Sequence, residues 1–258
     1  MSTVLDRIVA AHRAAAAADD RPLDELVVRA RAVPAARPFR DALARPGLSV
    51  IAEIKRRSPS KGDLAPGLVP AVLAKAYEDG GADCVSVLTD VEFFGGSADD
   101  LVDARAACEL PVLRKDFTVS ARDVCDARLM GADAVLLIVA ALDDHELATL
   151  LALARDVGLA GLVEAYAEDE VERAVAAGAD IVGVNQRDLR DFEVDAGRAA
   201  QLAARIPDGV VRVAESGVRN GADVARLADA GYDAVLVGES LVTSPDPVAA
   251  VRGLKGAP

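Results

Sequence analysis

Four times along the chain, a helical pattern of alanine, leucine and valine ends in Gly-(Ala/Tyr)-Asp and gives way to a short apolar run. The motif stands at Gly81–Asp83 before CVSVL, Gly131–Asp133 before AVLLIV, Gly178–Asp180 before IVGV and Gly231–Asp233 before AVLV. The copies lie 50, 47 and 53 residues apart. A glycine just past the last helical turn reads as the residue that turns the chain out of a helix. The runs that follow are short, β-branched and nearly continuous, as strands buried on both faces should be. Midway between them the pattern predicts four more strands, at Ser49–Ile54, Pro111–Lys115, Ala160–Glu164 and Val210–Glu215. Helices are expected at about Val69–Asp79, Ala98–Cys108, Ala121–Met130, Asp143–Asp156, Glu168–Ala177, Asp195–Arg205, Arg219–Ala230 and Pro247–Leu254. Strict alternation calls for a parallel sheet, and eight units call for an α/β fold of the (β/α)8, or TIM-barrel, type. An open doubly wound sheet is the competing architecture, but the G-x-G-x-x-G turn it usually carries after its first strand is missing.

Residues 1–48 precede the first strand and read as a helical extension of a single barrel domain spanning 1–258. Thr3 with Asp6 resembles a capping box, and Val4, Leu5, Ile8 and Val9 form one apolar stripe. Pro22 and Pro38 are each suited to open a further short helix. These helices are expected to cap the catalytic end of the barrel.

Composition narrows the partners. Twenty-nine Lys and Arg against 42 Asp and Glu give a formal charge of −13, which argues against nucleic acid or an anionic membrane surface. No apolar run approaches the ~20 residues of a membrane span, and charged residues in the first turns do not fit a signal peptide. Cys84, Cys108 and Cys125 are odd in number and lack C-x-x-C spacing, so a cytoplasmic protein without disulfide framework or zinc site is expected. The two histidines, His12 and His145, are far apart in sequence and are expected on exposed or partly exposed helix faces without a catalytic role.

The polar residues gather where apolar strands stop, which in a TIM barrel is where chemistry sits. The first strand ends in Glu53-Ile54-Lys55, with both charges on one face by period-two alternation. Others end in Arg114-Lys115-Asp116, Glu164, Asn185-Gln186-Arg187 and Glu215-Ser216-Gly217. Any one of these charges is equally read as a strand surfacing into solvent; the recurrence at five ends is what points to a site. Ser216-Gly217 and Gly238-Glu239-Ser240 offer amide N–H groups and hydroxyls with little side-chain obstruction, which suits a phosphorylated small molecule. Arg56, Arg57 and Lys61 surround Ser58-Pro59-Ser60 in a loop expected to face ligand. Phe94 and Phe117 follow strand ends in a chain with only 3% aromatics, and are read equally as core or as ring-stacking residues.

IAEIKRRSPSKG (Ile51–Gly62), VLTDVEFFGGSADDL (Val87–Leu101), PVLRKDF (Pro111–Phe117), LVEAY (Leu162–Tyr166), GVNQRDL (Gly183–Leu189), VAESGV (Val213–Val218) and LVGESLV (Leu236–Val242) together resemble the indole-3-glycerol phosphate synthase family. Gly95 stands where that family often has Asn. The resemblance implies ring closure of 1-(2-carboxyphenylamino)-1-deoxyribulose 5-phosphate with loss of CO2 and water, in tryptophan synthesis, without cofactor or metal. It implies that Lys115 is the general acid and Glu164 an acid/base, with Lys55 or Glu164 assisting dehydration. Glu53 would pair with Lys55 and, with Asn185, orient hydroxyls. Arg187 and Lys55 would face the substrate carboxylate, and Glu215 and Ser216 would complete the polar rim. Ser58, Gly217, Gly238 and Ser240 would hold phosphate, and Phe94 and Phe117 would flank the ring. Association with other enzymes of the pathway is left open. A phosphoribosylanthranilate isomerase would call for Cys at the end of strand one, where Glu53 and Lys55 stand. A non-catalytic phosphate-binding scaffold would have no use for so many charges in one pocket.

Overall fold

The computed structural model describes residues 3–256. Eight parallel strands close into a barrel: β1 (Ser49–Ile54), β2 (Cys84–Leu88), β3 (Val112–Lys115), β4 (Ala134–Ile138), β5 (Ala160–Ala165), β6 (Ile181–Asn185), β7 (Val211–Glu215) and β8 (Ala234–Val237). Each pairs with its sequence neighbours, and β8 closes on β1 with Ser49 opposite Ala234 and Ala52 opposite Val237. The strands are buried almost throughout, which is why their sequences are apolar runs rather than alternating ones.

The helices that follow are α4 (Pro70–Gly80), α5 (Ala98–Ala107), α6 (Ala121–Leu129), α7 (Asp144–Asp156), α8 (Glu168–Ala176), α9 (Arg198–Leu202), α10 (Gly221–Asp229) and α12 (Pro247–Leu254), with a four-residue α11 (Glu239–Val242) before the last. The repeated motif acts at the N-terminal end of the barrel. Its glycines have φ of 81 to 91°, the left-handed turn that releases the chain from the helix. Its aspartates reach across to the neighbouring strand: Asp83, Asp133 and Asp233 accept the amides of Val50, Val112 and Arg212, each at 2.8 Å. Asp180 instead pairs with Arg155 at 3.1 Å.

Two local differences from the sequence expectation have physical causes. The helix expected over Asp195–Arg205 begins only at Arg198 and ends in a 3-10 turn at Ala203–Arg205. Asp188 and Asp195 bind amides two residues ahead, Arg190 and Gly197, an arrangement that competes with helix formation. Helix α11 was not foreseen, being too short to show a period.

The N-terminal extension forms α1 (Val4–Ala18), α2 (Leu23–Arg31) and α3 (Phe39–Leu43). The capping box is present, with Asp6 N–H donating to Thr3 and Thr3 N–H to Asp6. Leu5 and Ile8 are buried. Helix α1 lies over the C-terminal ends of the strands, where Arg13 grips Glu146 and the Ala141 carbonyl. The rest of the extension goes elsewhere. Helix α2 packs on α6, and α3 packs at the N-terminal ends of β1 and β2, where the Ser49 hydroxyl donates to the carbonyls of Ala42 and Leu43. Only α1 caps the catalytic end; α3 covers the opposite one.

Candidate active site

A cavity of about 450 Å³ opens at the C-terminal ends of the strands. Glu53, Lys55, Ser58, Phe94, Lys115, Phe117, Glu164, Asn185, Arg187, Glu215, Ser216, Gly217, Gly238 and Ser240 all line it. The barrel brings these residues together from positions spread over most of the chain.

Its floor is a set of paired charges. Lys55 donates to Glu53 at 2.5 Å, and Lys115 stands 3.3 Å from Glu164 and 3.4 Å from Glu215. The three glutamates are buried, and the two lysines beside them are mostly buried. Burial opposes the charge of Lys115, but Glu164, Glu215 and Glu53 outweigh it and hold its proton more firmly than usual. Burial alone would push Glu53 up, yet Lys55 and Lys115 bring it below the ordinary carboxylate range. Glu215 goes the other way. Burial and the neighbouring charge of Glu164 push it up to about 8, against the pull of Lys115. Among the described residues its carboxyl oxygens accept no hydrogen bond, and Lys115 meets it only at ion-pair distance. Arg187 lines the same cavity and adds a further cation beside these pairs, which suits an anionic ligand.

Two glycines make this packing feasible. A Cβ on Gly183 of β6 would come within 2.2 Å of a Glu215 oxygen, and one on Gly238 within 2.4 Å of a Glu53 oxygen. Gly183 is a site residue that sequence reasoning missed. Its signal was present, since a glycine inside an apolar strand run marks a close approach.

The phosphate-type corner lies beside β7 and β8. Ser216 and Gly217 are both left-handed, with φ of 66° and 75°, and Gln186 holds the turn by donating to the Ser216 carbonyl at 2.8 Å. Serine is uncommon in that conformation, and such strain is found where a turn serves a site. Lys61 crosses from the loop after β1 to Glu239 at 2.9 Å, above Gly238. Arg56 and Arg57, expected to face ligand with Lys61, turn away instead. Arg56 is bound to Asp100, and Arg57 donates to the carbonyls of Val91 and Glu92. Their charges tie two loops together.

The apolar wall comprises Phe94, Phe117, Leu136 and Ile138, joined by Leu189, Phe192 and Val194 from the loop after β6. The sequence pattern assigned these three residues no role in the site. Phe192, at φ 66°, accepts from the Arg187 guanidinium at 2.9 Å. Phe94 and Phe117 lie 6.1 Å apart between ring centres, the tilted geometry of an aromatic pair.

A set of acidic and basic side chains at the C-terminal mouth of a (β/α)8 barrel defines the class as a barrel enzyme whose cationic groups suit an anionic substrate. Solved barrels share the architecture: a thiamine phosphate pyrophosphorylase from Pyrococcus furiosus (16% identity, 84% of this chain and 96% of that one, TM-score 0.62) and a 3-hexulose-6-phosphate synthase (17%, 81% and 99%, TM-score 0.65). At such identity they speak for the fold alone. Sequence comparison is more specific. Residues 5–254 match the indole-3-glycerol phosphate synthase family. Indole-3-glycerol phosphate synthase 2 of Streptomyces coelicolor is 55% identical over 232 residues, 90% of each chain. The synthase of Mycobacteroides abscessus is 51% identical over 254 residues, 98% of this chain and 93% of that one. The chain belongs to the indole-3-glycerol phosphate synthase family, carboxy-lyases of tryptophan biosynthesis.

Proposed function

We propose that this cavity performs the family reaction with Lys115 as the group that starts it. The ring carbon bearing the substrate carboxylate attacks the ketone carbon, and Lys115 delivers its proton to the ketone oxygen. The new C–C bond is followed by loss of CO2, which restores electrons to the ring system. The hydroxyl left from the ketone then departs as water, and a base removes the remaining proton to give the indole. Glu164, paired with Lys115, is the base that takes that proton and passes it back to the Lys115 amine, and so is the acid/base of the second half. Lys55 or Glu164 protonates the departing hydroxyl. No step requires a covalent enzyme intermediate, so catalysis rests on positioning and proton transfer.

The remaining residues bind. Arg187 and Lys55 face the carboxylate, Glu53 and Asn185 the hydroxyls, and Ser216 the polar rim, while Glu215, expected on that rim, is buried beneath it beside Lys115 and acts with it. Ser58, Gly217, Gly238 and Ser240 take the phosphate, and Phe94 and Phe117 enclose the anilino ring. The observation that carries the reading is the Lys115 ammonium, held between Glu164 and Glu215 on the floor of an otherwise apolar-walled cavity. Purified protein given the carboxyphenylamino substrate should develop indole fluorescence. Binding of a phosphorylated ligand without any such rise supports a scaffold instead.

The same reading places a single barrel domain in the cytoplasm, free to associate with neighbouring enzymes of the pathway. Its support is chemical: Cys84, Cys108 and Cys125 are unpaired and buried, and burial raises each thiol above its ordinary range. Among the described residues no helix is long and apolar enough to cross a membrane. Co-sedimentation with the other enzymes of tryptophan synthesis tests the association.

A further inference from the structure

His12 was expected on an exposed or partly exposed helix face without a catalytic role; it is partly exposed on α1, and the structure adds partners on two catalytic-end loops. Its Nε2 lies 3.0 Å from Asp90, which follows β2, and 3.8 Å from Asp116, which follows β3. Its ring lies 5.5 Å from the ring of Phe117. Both aspartates are buried and otherwise committed. The second oxygen of Asp90 accepts the amides of Phe93 and Phe94 at 2.6 and 2.8 Å. Asp116 accepts from Arg114 at 2.9 Å, from the Phe117 amide at 2.8 Å and from the Thr89 hydroxyl. One imidazole thus lies tilted against the Phe117 ring and is linked through Asp90 to the backbone amide of Phe94.

We propose that His12 is a positioning residue, a proton-dependent latch that holds helix α1 on the aromatic wall and sets how firmly the substrate ring is gripped. This rests on the reading of Phe94 and Phe117 as the anilino slot. The cluster suits a proton better than a divalent metal, because the Arg114 guanidinium already occupies Asp116 and two amides already occupy Asp90.

The charges that face His12 set the sign. Asp90 and Asp116 face it from the two loops, with Arg114 beyond Asp116, and Asp123 at the start of α6 adds negative charge. On α1 itself the neighbouring Arg13 is drawn off to Glu146. Burial disfavours the imidazolium, but the bond to Asp90 and the charges of Asp116 and Asp90 outweigh it, raising His12 above its usual 6.5. A raised histidine contributes its full attraction below its unfolded value and loses it as pH rises through the folded one. The latch is therefore tight in mild acid and loosens as pH rises through the raised value.

The experiment compares steady-state kinetics of the wild-type protein, His12→Ala and His12→Lys across pH 6 to 9. His12→Ala should raise KM about 10-fold at pH 6.5, with kcat changed by less than about threefold, in line with loss of one charge-assisted hydrogen bond. His12→Lys keeps the charge, so its KM should match wild type at pH 6.5 and fall below it at pH 8.5. Alkaline effects from Glu215 or the substrate are common to both proteins and cancel in that ratio. With only two histidines in the chain, NMR titration should find His12 above 6.5. Where His12→Ala does not fold, His12→Gln should show the raised KM without the pH-dependent difference. A wild-type to His12→Lys ratio that is flat with pH overturns the proposal. So does an unchanged KM in His12→Ala accompanied only by a lower Tm. Phe117→Leu separates the two readings. An unchanged KM there overturns the aromatic slot itself, whereas a raised KM there with none in His12→Ala overturns only the role of His12.

Discussion

The two ends of this barrel use the same chemical group in opposite ways. At the N-terminal end, Asp133 is buried, and both its oxygens are taken. One accepts the Arg37 amide at 2.7 Å, the other the Val112 amide at 2.8 Å and the Arg105 guanidinium at 2.7 Å. At the C-terminal end, Glu215 is equally buried, and among the described residues its oxygens accept no hydrogen bond, with only the Lys115 ammonium at 3.4 Å to offset their charge. The first arrangement pins one strand to the next and ties the extension to the barrel. The second leaves a carboxyl under-solvated, with its acidity shifted to about 8. A carboxylate satisfied on all sides stabilises a fold, and at Asp133 the two amides and the Arg105 charge counter part of the rise that burial brings. One deprived of partners costs stability and is poised for chemistry.

The largest expected effect is at the catalytic end. Lys115→Met keeps the apolar stem and removes the proton, so kcat should fall by about 10²–10⁴-fold, or roughly 2.7–5.4 kcal/mol of barrier. KM should change far less, and circular dichroism should match wild type. More than a tenth of wild-type kcat, with chemistry limiting turnover, would remove Lys115 from its role. Next comes the opposite end. Asp133→Ala strands two amides and the Arg105 charge, so stability should drop by about 3–5 kcal/mol. Thermal unfolding should report this at about 2–4 °C for each kcal/mol. At 20 °C kcat should remain within about twofold of wild type; a large loss there would show that the two ends are not separable.

Glu215→Gln sharpens the contrast by moving activity and stability in opposite directions. The folded carboxyl is raised, so its protonated form is favoured below about pH 8, and stability is lost as pH rises from the ordinary carboxylate range through that value. A neutral amide escapes this loss. The variant should unfold at a higher Tm than wild type at pH 8.5, while kcat falls at least about tenfold. A lower Tm at pH 8.5 would mean that the carboxyl is not the strained group proposed. The smallest effect should come from Asp180→Asn. Asp180 occupies the same repeat position as Asp133 but is 58% exposed and paired only with Arg155, so its change should stay within about 0.5 kcal/mol.

The barrel was legible because its signals are local. Alternation of 3.6-residue and strand patterns, and glycines placed to end helices, depend on neighbours a few positions away. The acids, bases and cations were legible for a related reason. The end of a strand is also the rim of the barrel, so Glu53, Lys115, Glu164 and Glu215 converge once eight strands close. Other features had no local trace. Nothing near His12 announces Asp90, 78 residues on, and nothing in the loop after β1 tells that Arg56 and Arg57 bind other loops while Lys61 lines the cavity. Long flexible side chains take whichever partner the packing brings within reach. The extension likewise carried its capping box and apolar stripe in plain view, but the ends covered by α1 and α3 depend on which surfaces the closed barrel leaves bare. Sequence alone determined the order of elements and the chemistry at the strand ends. Only the tertiary structure decided which carboxylates are satisfied and which are deprived, because that depends on groups meeting across the barrel and on the water that closure excludes.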